Sequence, residues 1–127
     1  MLDAGWAAAF AREWIDAWNS HDMERILRHY SDDFEMSSPL IVQRMSDSRG
    51  TLKGKQALRA YWQPSLTAEP PLAFELMDVL IGVDSLTLYY ENVGRRVVAE
   101  TLIFDTERRA VKGMSQWSIG AGRSARS

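Results

Sequence analysis

The apolar residues of this chain recur at two different periods, and the change comes a little past its middle. Ala7, Phe10, Ala11, Trp14, Ile15 and Trp18 return at steps of three and four, while Arg12, Glu13, Asp16 and Asn19 fall on the opposite side. That stripe predicts an amphipathic helix over about residues 3–19. Asn19-Ser20-His21-Asp22 then supplies turn and cap residues. Met23, Ile26, Leu27 and Tyr30 mark a shorter second helix, which Ser31-Asp32-Asp33 breaks. Phe34-Glu35-Met36-Ser37-Ser38 alternates and predicts a short strand ended by Pro39. Residues 41–53 hold no steady period; Asp47-Ser48-Arg49-Gly50 is turn-like and Thr51-Leu52 suits a small strand. Gly54-Lys55-Gln56 opens a third helix with Ala57, Leu58, Tyr61 and Trp62 on one face, limited by Pro64.

After the loop Ala68-Glu69-Pro70-Pro71 the period becomes two. Residues 72–81, 85–93, 95–105 and 110–118 read as four strands joined by short turns, which implies an antiparallel meander. Strict alternation turns Met77, Val79 and Ile81, with Val97, Ala99 and Ile103, away from the helices, an apolar patch that needs covering. Three helices followed by a sheet make an α+β fold. A curved antiparallel sheet wrapped around those helices encloses a cone. One domain is expected over residues 1–119, and the small polar stretch 120–127 reads as a flexible tail.

One position breaks the pattern. In Val97-Val98-Ala99-Glu100-Thr101-Leu102-Ile103-Phe104-Asp105 the residues Val98, Glu100, Leu102 and Phe104 share a face, so a carboxylate stands among apolar side chains. In an apolar cavity desolvation raises a carboxyl pKa by roughly 3–5 units. Protonated, Glu100 donates a hydrogen bond to a ligand carbonyl; ionised, it serves as a general base for a C–H or a water. The competing expectation is a structural carboxylate, paired with an arginine such as Arg96 or set at a wet rim.

Composition narrows the partners. The 127 residues carry a formal charge of −2 with no basic block, so nucleic acid is not expected. Without cysteine there is no disulfide, thiol nucleophile or Cys-bound zinc. His21 and His29, the two histidines, read as solvated and lack metal-ligand spacing. Ser31 has no histidine placed as a base, and Gly50-Thr51-Leu52-Lys53-Gly54 is not a phosphate loop. No metal or other cofactor is therefore expected. Arg108-Arg109 reads as a solvated hairpin tip. There is no 18-residue apolar run and no positively charged leader in MLDAGWAAAF, so no membrane partner is expected and the location expected is cytoplasmic. Five tryptophans, four tyrosines and four phenylalanines are enough to line a cavity for an apolar or aromatic ligand.

Several short pieces, in order, carry a family resemblance: Trp18-Asn19-Ser20-His21-Asp22, Tyr30-Ser31-Asp32-Asp33, Leu52-Lys53-Gly54-Lys55-Gln56-Ala57-Leu58, Phe104-Asp105 and Trp117. Over about residues 6–118 the chain resembles the nuclear transport factor 2-like superfamily, in particular small bacterial members similar to SnoaL-type polyketide cyclases and ketosteroid isomerase. The resemblance implies a cone used as a pocket and a homodimer built by packing two sheets back to back. It places the isomerase branch's tyrosine, base and acid positions on Trp14, Ser38 and Glu100. Trp14 is no acid and Ser38 no carboxylate base, so steroid-type isomerisation is not expected and Glu100 is the one candidate catalytic residue. Trp14, Trp18, Tyr61, Trp62 and Trp117 would form an aromatic cage. Phe34, Met36 and Ser38 would face the cone beside them, with Leu58 and Leu102 as further wall. Tyr90 would offer Glu100 a hydroxyl partner. Three readings remain open: an isomerase, cyclase or dehydratase type of enzyme, a binding protein without turnover, and an interaction module whose cone is filled by its own side chains.

Overall fold

The computed structural model describes residues 1–45 and 49–120; the turn expected at Asp47-Ser48 and the tail beyond Gly120 lie outside the described residues. The elements run α1 (Ala4–Ser20), α2 (Met23–Leu27), β1 (Tyr30–Ser37), α3 (Pro39–Arg44), β2 (Thr51–Lys53), α4 (Lys55–Leu66), β3 (Glu75–Ile81), β4 (Ser85–Glu91), β5 (Val97–Phe104) and β6 (Ala110–Trp117). This is the α+β class, with a curved six-stranded sheet in the order β2-β1-β6-β5-β4-β3. β3 to β6 form the antiparallel meander. β1 joins the far side of β6 in parallel, and β2 pairs antiparallel with β1.

The starts of α1 and α2 have a local cause. The Asp3 carboxylate accepts the Trp6 N–H at 2.8 Å and caps α1. Asp22 does the same for α2, accepting from Glu24 and Arg25. The inner stripe of α1, Ala7, Ala11, Trp14 and Trp18, is buried against the concave face of the sheet, where Leu86, Leu88, Leu102 and Phe104 wait. Each leucine or phenylalanine so removed from water contributes about 1.5–3 kcal/mol. Gly113 marks a tight point in the core, since a Cβ there would lie 2.7 Å from Phe34 Cζ and 3.0 Å from Leu102 Cδ2.

Four expectations change. Tyr30 opens β1 instead of closing a helix, because pairing with Ala110 of β6 captures it. A short helix, α3, follows directly after β1: Ser38 caps it by accepting the Leu40 N–H at 3.2 Å, and Pro39 takes the first turn, where its missing N–H costs nothing. Together with α4 this makes four helices, and they do not all precede the sheet. Pro64 lies inside α4, which continues to Leu66. Finally, the pairing of β3 with β4 slips between Leu76 and Asp78. The slip reverses the alternation beyond it. Val79 and Ile81 consequently stand opposite Leu88 and Leu86 on the concave side, and Leu80 turns outward at 55% exposure.

Both histidines have partners. His21 ends α1 in the left-handed region (φ 62°), and its Nε2 lies 2.7 Å from the Leu72 carbonyl. The His29 ring packs edge-on against Phe10, with centroids 5.3 Å apart, and burial lowers its pKa. Arg108 likewise lies over the Trp6 ring at 5.1 Å and is not a bare hairpin tip.

Candidate functional site

Strand alternation on β5 places Val98, Glu100, Leu102 and Phe104 inward, and all four are buried. Glu100, 4% exposed, stands opposite Leu88 of β4 and Ser115 of β6. The sheet curls away from α1 and α4 at this level and leaves a partly open cavity of about 380 Å³, with Glu100 in its wall. That volume lies within the range of small-molecule sites.

Desolvation raises the Glu100 pKa to about 7, and the hydroxyls of Ser115 and Tyr90 pull weakly the other way. The Tyr90 hydroxyl donates to Glu100 Oε1 across a long 3.4 Å. Glu100 forms no ion pair among the described residues, so the structural pairing with Arg96 does not occur. Arg96 lies instead over the Trp117 ring, 4.6 Å from its centroid. Tyr30 and Tyr90 are buried behind the same carboxyl; burial and its negative charge both push their pKa values up, so they stay neutral hydroxyls.

Most of the expected wall is brought together. Trp14, Trp18 and Met36 line the cavity, as do Tyr61, Trp62, Tyr90 and Trp117. Two polar groups of this wall are engaged within the protein. The Trp14 indole N–H donates to Tyr30 Oη at 2.8 Å, so it is engaged within the protein. Ser38 is on the wall, but its hydroxyl caps α3 and lies beside that of Tyr61. The Trp18 N–H is buried with no hydrogen-bond partner among the described residues. Phe34, Leu58 and Leu102 are fully buried in the core beneath the cavity and do not line it.

Sequence reasoning missed Leu72 and Phe74, which close one side. The Asn19 side chain holds them there: its Nδ2 donates to the Phe74 carbonyl at 2.9 Å and its Oδ1 accepts the Phe74 N–H at 2.7 Å. With the His21 ring on the Leu72 carbonyl, the Trp18-Asn19-Ser20-His21-Asp22 segment becomes a clasp for the loop before β3. Phe74 then stacks on Trp14 at 18° and contacts Tyr90 at 4.4 Å between centroids. Gln43, Ser65, Asn92 and Arg96, also missed, add polar groups to the wall. Among the described residues there is no cluster of three or more side chains able to hold a metal, and no helix is long and apolar enough to cross a membrane.

The SnoaL-like domain family matches residues 11–127. A SnoaL-like protein of unknown function from Burkholderia thailandensis is 44% identical, with a TM-score of 0.88, over 91% of this chain and 97% of that one. Two distant structures share the fold. A protein with a cystatin-like fold from Methylobium petroleophilum is 11% identical (TM-score 0.74, 96% and 82% of the two chains). The epoxide hydrolase/cyclase-like enzyme SalBIII, which has a role in pyran ring formation in polyether salinomycin, is 16% identical (TM-score 0.70, 94% and 95%). No curated protein matches the chain.

Proposed function

The chain belongs to the SnoaL-like domain family, and from that premise we propose that its cavity binds a small, largely apolar molecule on which Glu100 acts as acid or base. The observation that carries this reading is a buried carboxyl without a cationic partner in the wall of a cavity of about 380 Å³. A carboxyl titrating near 7 is held in both forms at neutral pH, which suits a group that must give and take a proton. In its protonated form it donates to a carbonyl or ether oxygen; in its ionised form it removes a proton from carbon or water. Tyr90 supplies a second hydroxyl at the same point. Aromatic rings from α1, α4 and the loop before β3 hold a flat body against it and exclude water. Isomerisation, ring closure and dehydration all share this proton chemistry, and the cyclase-like enzyme SalBIII has the same fold.

A second reading, a binding protein without turnover, draws on Glu100 being the only carboxyl on the cavity wall among the described residues, with Ser38 where the isomerase pattern has its base. The cavity also argues against a cone plugged by its own side chains. For assembly, the proposal is a homodimer through the convex sheet face, where Ala99, Ile103 and Met114 are partly exposed, while Val97, expected there, is already buried within the chain; a monomer in sedimentation at micromolar concentration removes it.

The test is deuterium incorporation next to the carbonyl of a panel of cyclic and aryl ketones in D2O, with binding followed by tryptophan fluorescence. The enzyme reading expects exchange in the wild type, lost in Glu100→Gln while affinity is kept. Binding without exchange supports the binding protein. Absence of binding across the panel overturns both.

A further inference from the structure

Resting on that reading of the cavity, we infer that its ligand carries a carboxylate, held at the cavity mouth by Arg96, whose backbone stands about 13 Å along the strand from that of Glu100 at the proton-transfer end. Arg96 precedes β5 by one residue, so Arg96, Val98 and Glu100 follow the alternation of one face, and all three border the cavity. Four residues of extended chain separate the two charged side chains at their backbone, at about 3.3 Å each. No other Lys, Arg, Asp or Glu lines the cavity among the described residues.

Arg96 is built to receive an anion. Its backbone is fixed by Asn92, whose Oδ1 accepts the Arg96 N–H at 3.1 Å while the Asn92 N–H donates to the Arg96 carbonyl at 3.0 Å. Its guanidinium carbon lies over the Trp117 ring, 4.6 Å from the centroid. A cation held on an aromatic ring still has N–H donors to offer a further partner. The group has no carboxylate partner among the described residues, although four other ion pairs form between acids and Lys or Arg. The planar fork of such donors matches a carboxylate bidentately. The ligand class that fits is a flat, rigid, apolar body with a carbonyl or hydroxyl at one end and a carboxylate at the other.

Two rigid probes separate the ends: 6-hydroxy-2-naphthoate, and 2-naphthol, which lacks the carboxylate. Isothermal titration of the wild type is expected to show the naphthoate binding about tenfold more tightly than the naphthol. Arg96→Gln, melting at the wild-type temperature, should erase that preference by weakening the naphthoate about tenfold and leaving the naphthol within about twofold. Equal affinity of the two probes in the wild type overturns the carboxylate and leaves the cavity reading standing. So does an Arg96→Gln variant that weakens both probes alike or neither. Failure of both probes to bind the wild type overturns the inference together with the cavity reading on which it rests.

Discussion

The side-chain amide of Asn19 grips the backbone of Phe74 at both its N–H and its carbonyl, at 2.7 and 2.9 Å, across 55 residues of sequence. An amide fits this task because it offers a donor and an acceptor side by side. Asn19→Ala should release the loop before β3. Each hydrogen bond lost costs about 0.5–1.5 kcal/mol, so denaturant unfolding should report a loss of about 1–3 kcal/mol for the two. Amide exchange at Phe74 should accelerate more than at the centre of β5. Unchanged exchange at Phe74 would show that the aromatic stack alone holds the loop.

Glu100 makes stability depend on pH in a stated direction. Its folded pKa, about 7, lies above its ordinary value of 4.5. Below 4.5 both folded and unfolded forms hold the proton and no penalty arises. As pH rises from 4.5 toward 7 the unfolded chain ionises while the folded one resists, so stability falls, and it levels off above 7. The loss is on the order of 3 kcal/mol. Glu100→Gln lacks this penalty, so its stability relative to wild type should climb between pH 4.5 and pH 8. His29, held neutral by burial, acts oppositely by disfavouring the folded state as pH falls through 6.5. The comparison between variants cancels it. A pH-independent difference between the two proteins would mean that Glu100 is ionised in the native state.

Gly113 stands where the strand and the Phe34 ring meet, with no room for a methyl group. Gly113→Ala should cost about 1–3 kcal/mol by overpacking, read as a lowered denaturant midpoint with an unchanged slope. Adding Phe34→Leu should recover part of that loss, because the ring atom 2.7 Å from the new methyl is then gone.

Alternation and helical spacing reveal which side chains turn inward, and Glu100, Tyr90, Trp14 and Trp18 were legible on that basis. They do not reveal depth. Phe34, Leu58 and Leu102 carry the same inward signal as Met36 and Tyr61 yet lie under the cavity, because the curl of the sheet decides which inward residues meet empty space. Leu72 and Phe74 were hidden for a related reason: they precede the regular part of β3, and an exposed asparagine far away in sequence brings them in. The reversal at Val79 and Ile81 comes from a single-residue slip near Met77 that no local residue type announces. The short helix after Ser38 was readable, since a serine followed by proline is a helix start as much as a strand end.

The parallel pairing of β1 with β6 also governs how the molecule comes together. β1 can meet β2 once the first 53 residues exist, but its other edge stays open until residues 110–117 arrive. The meander can zip locally, hairpin by hairpin, whereas closing this last seam joins segments about eighty residues apart and makes assembly slow. During synthesis the strand Tyr30–Ser37 therefore spends most of its time as an unprotected edge, exposed to stray strand addition until the final strand docks.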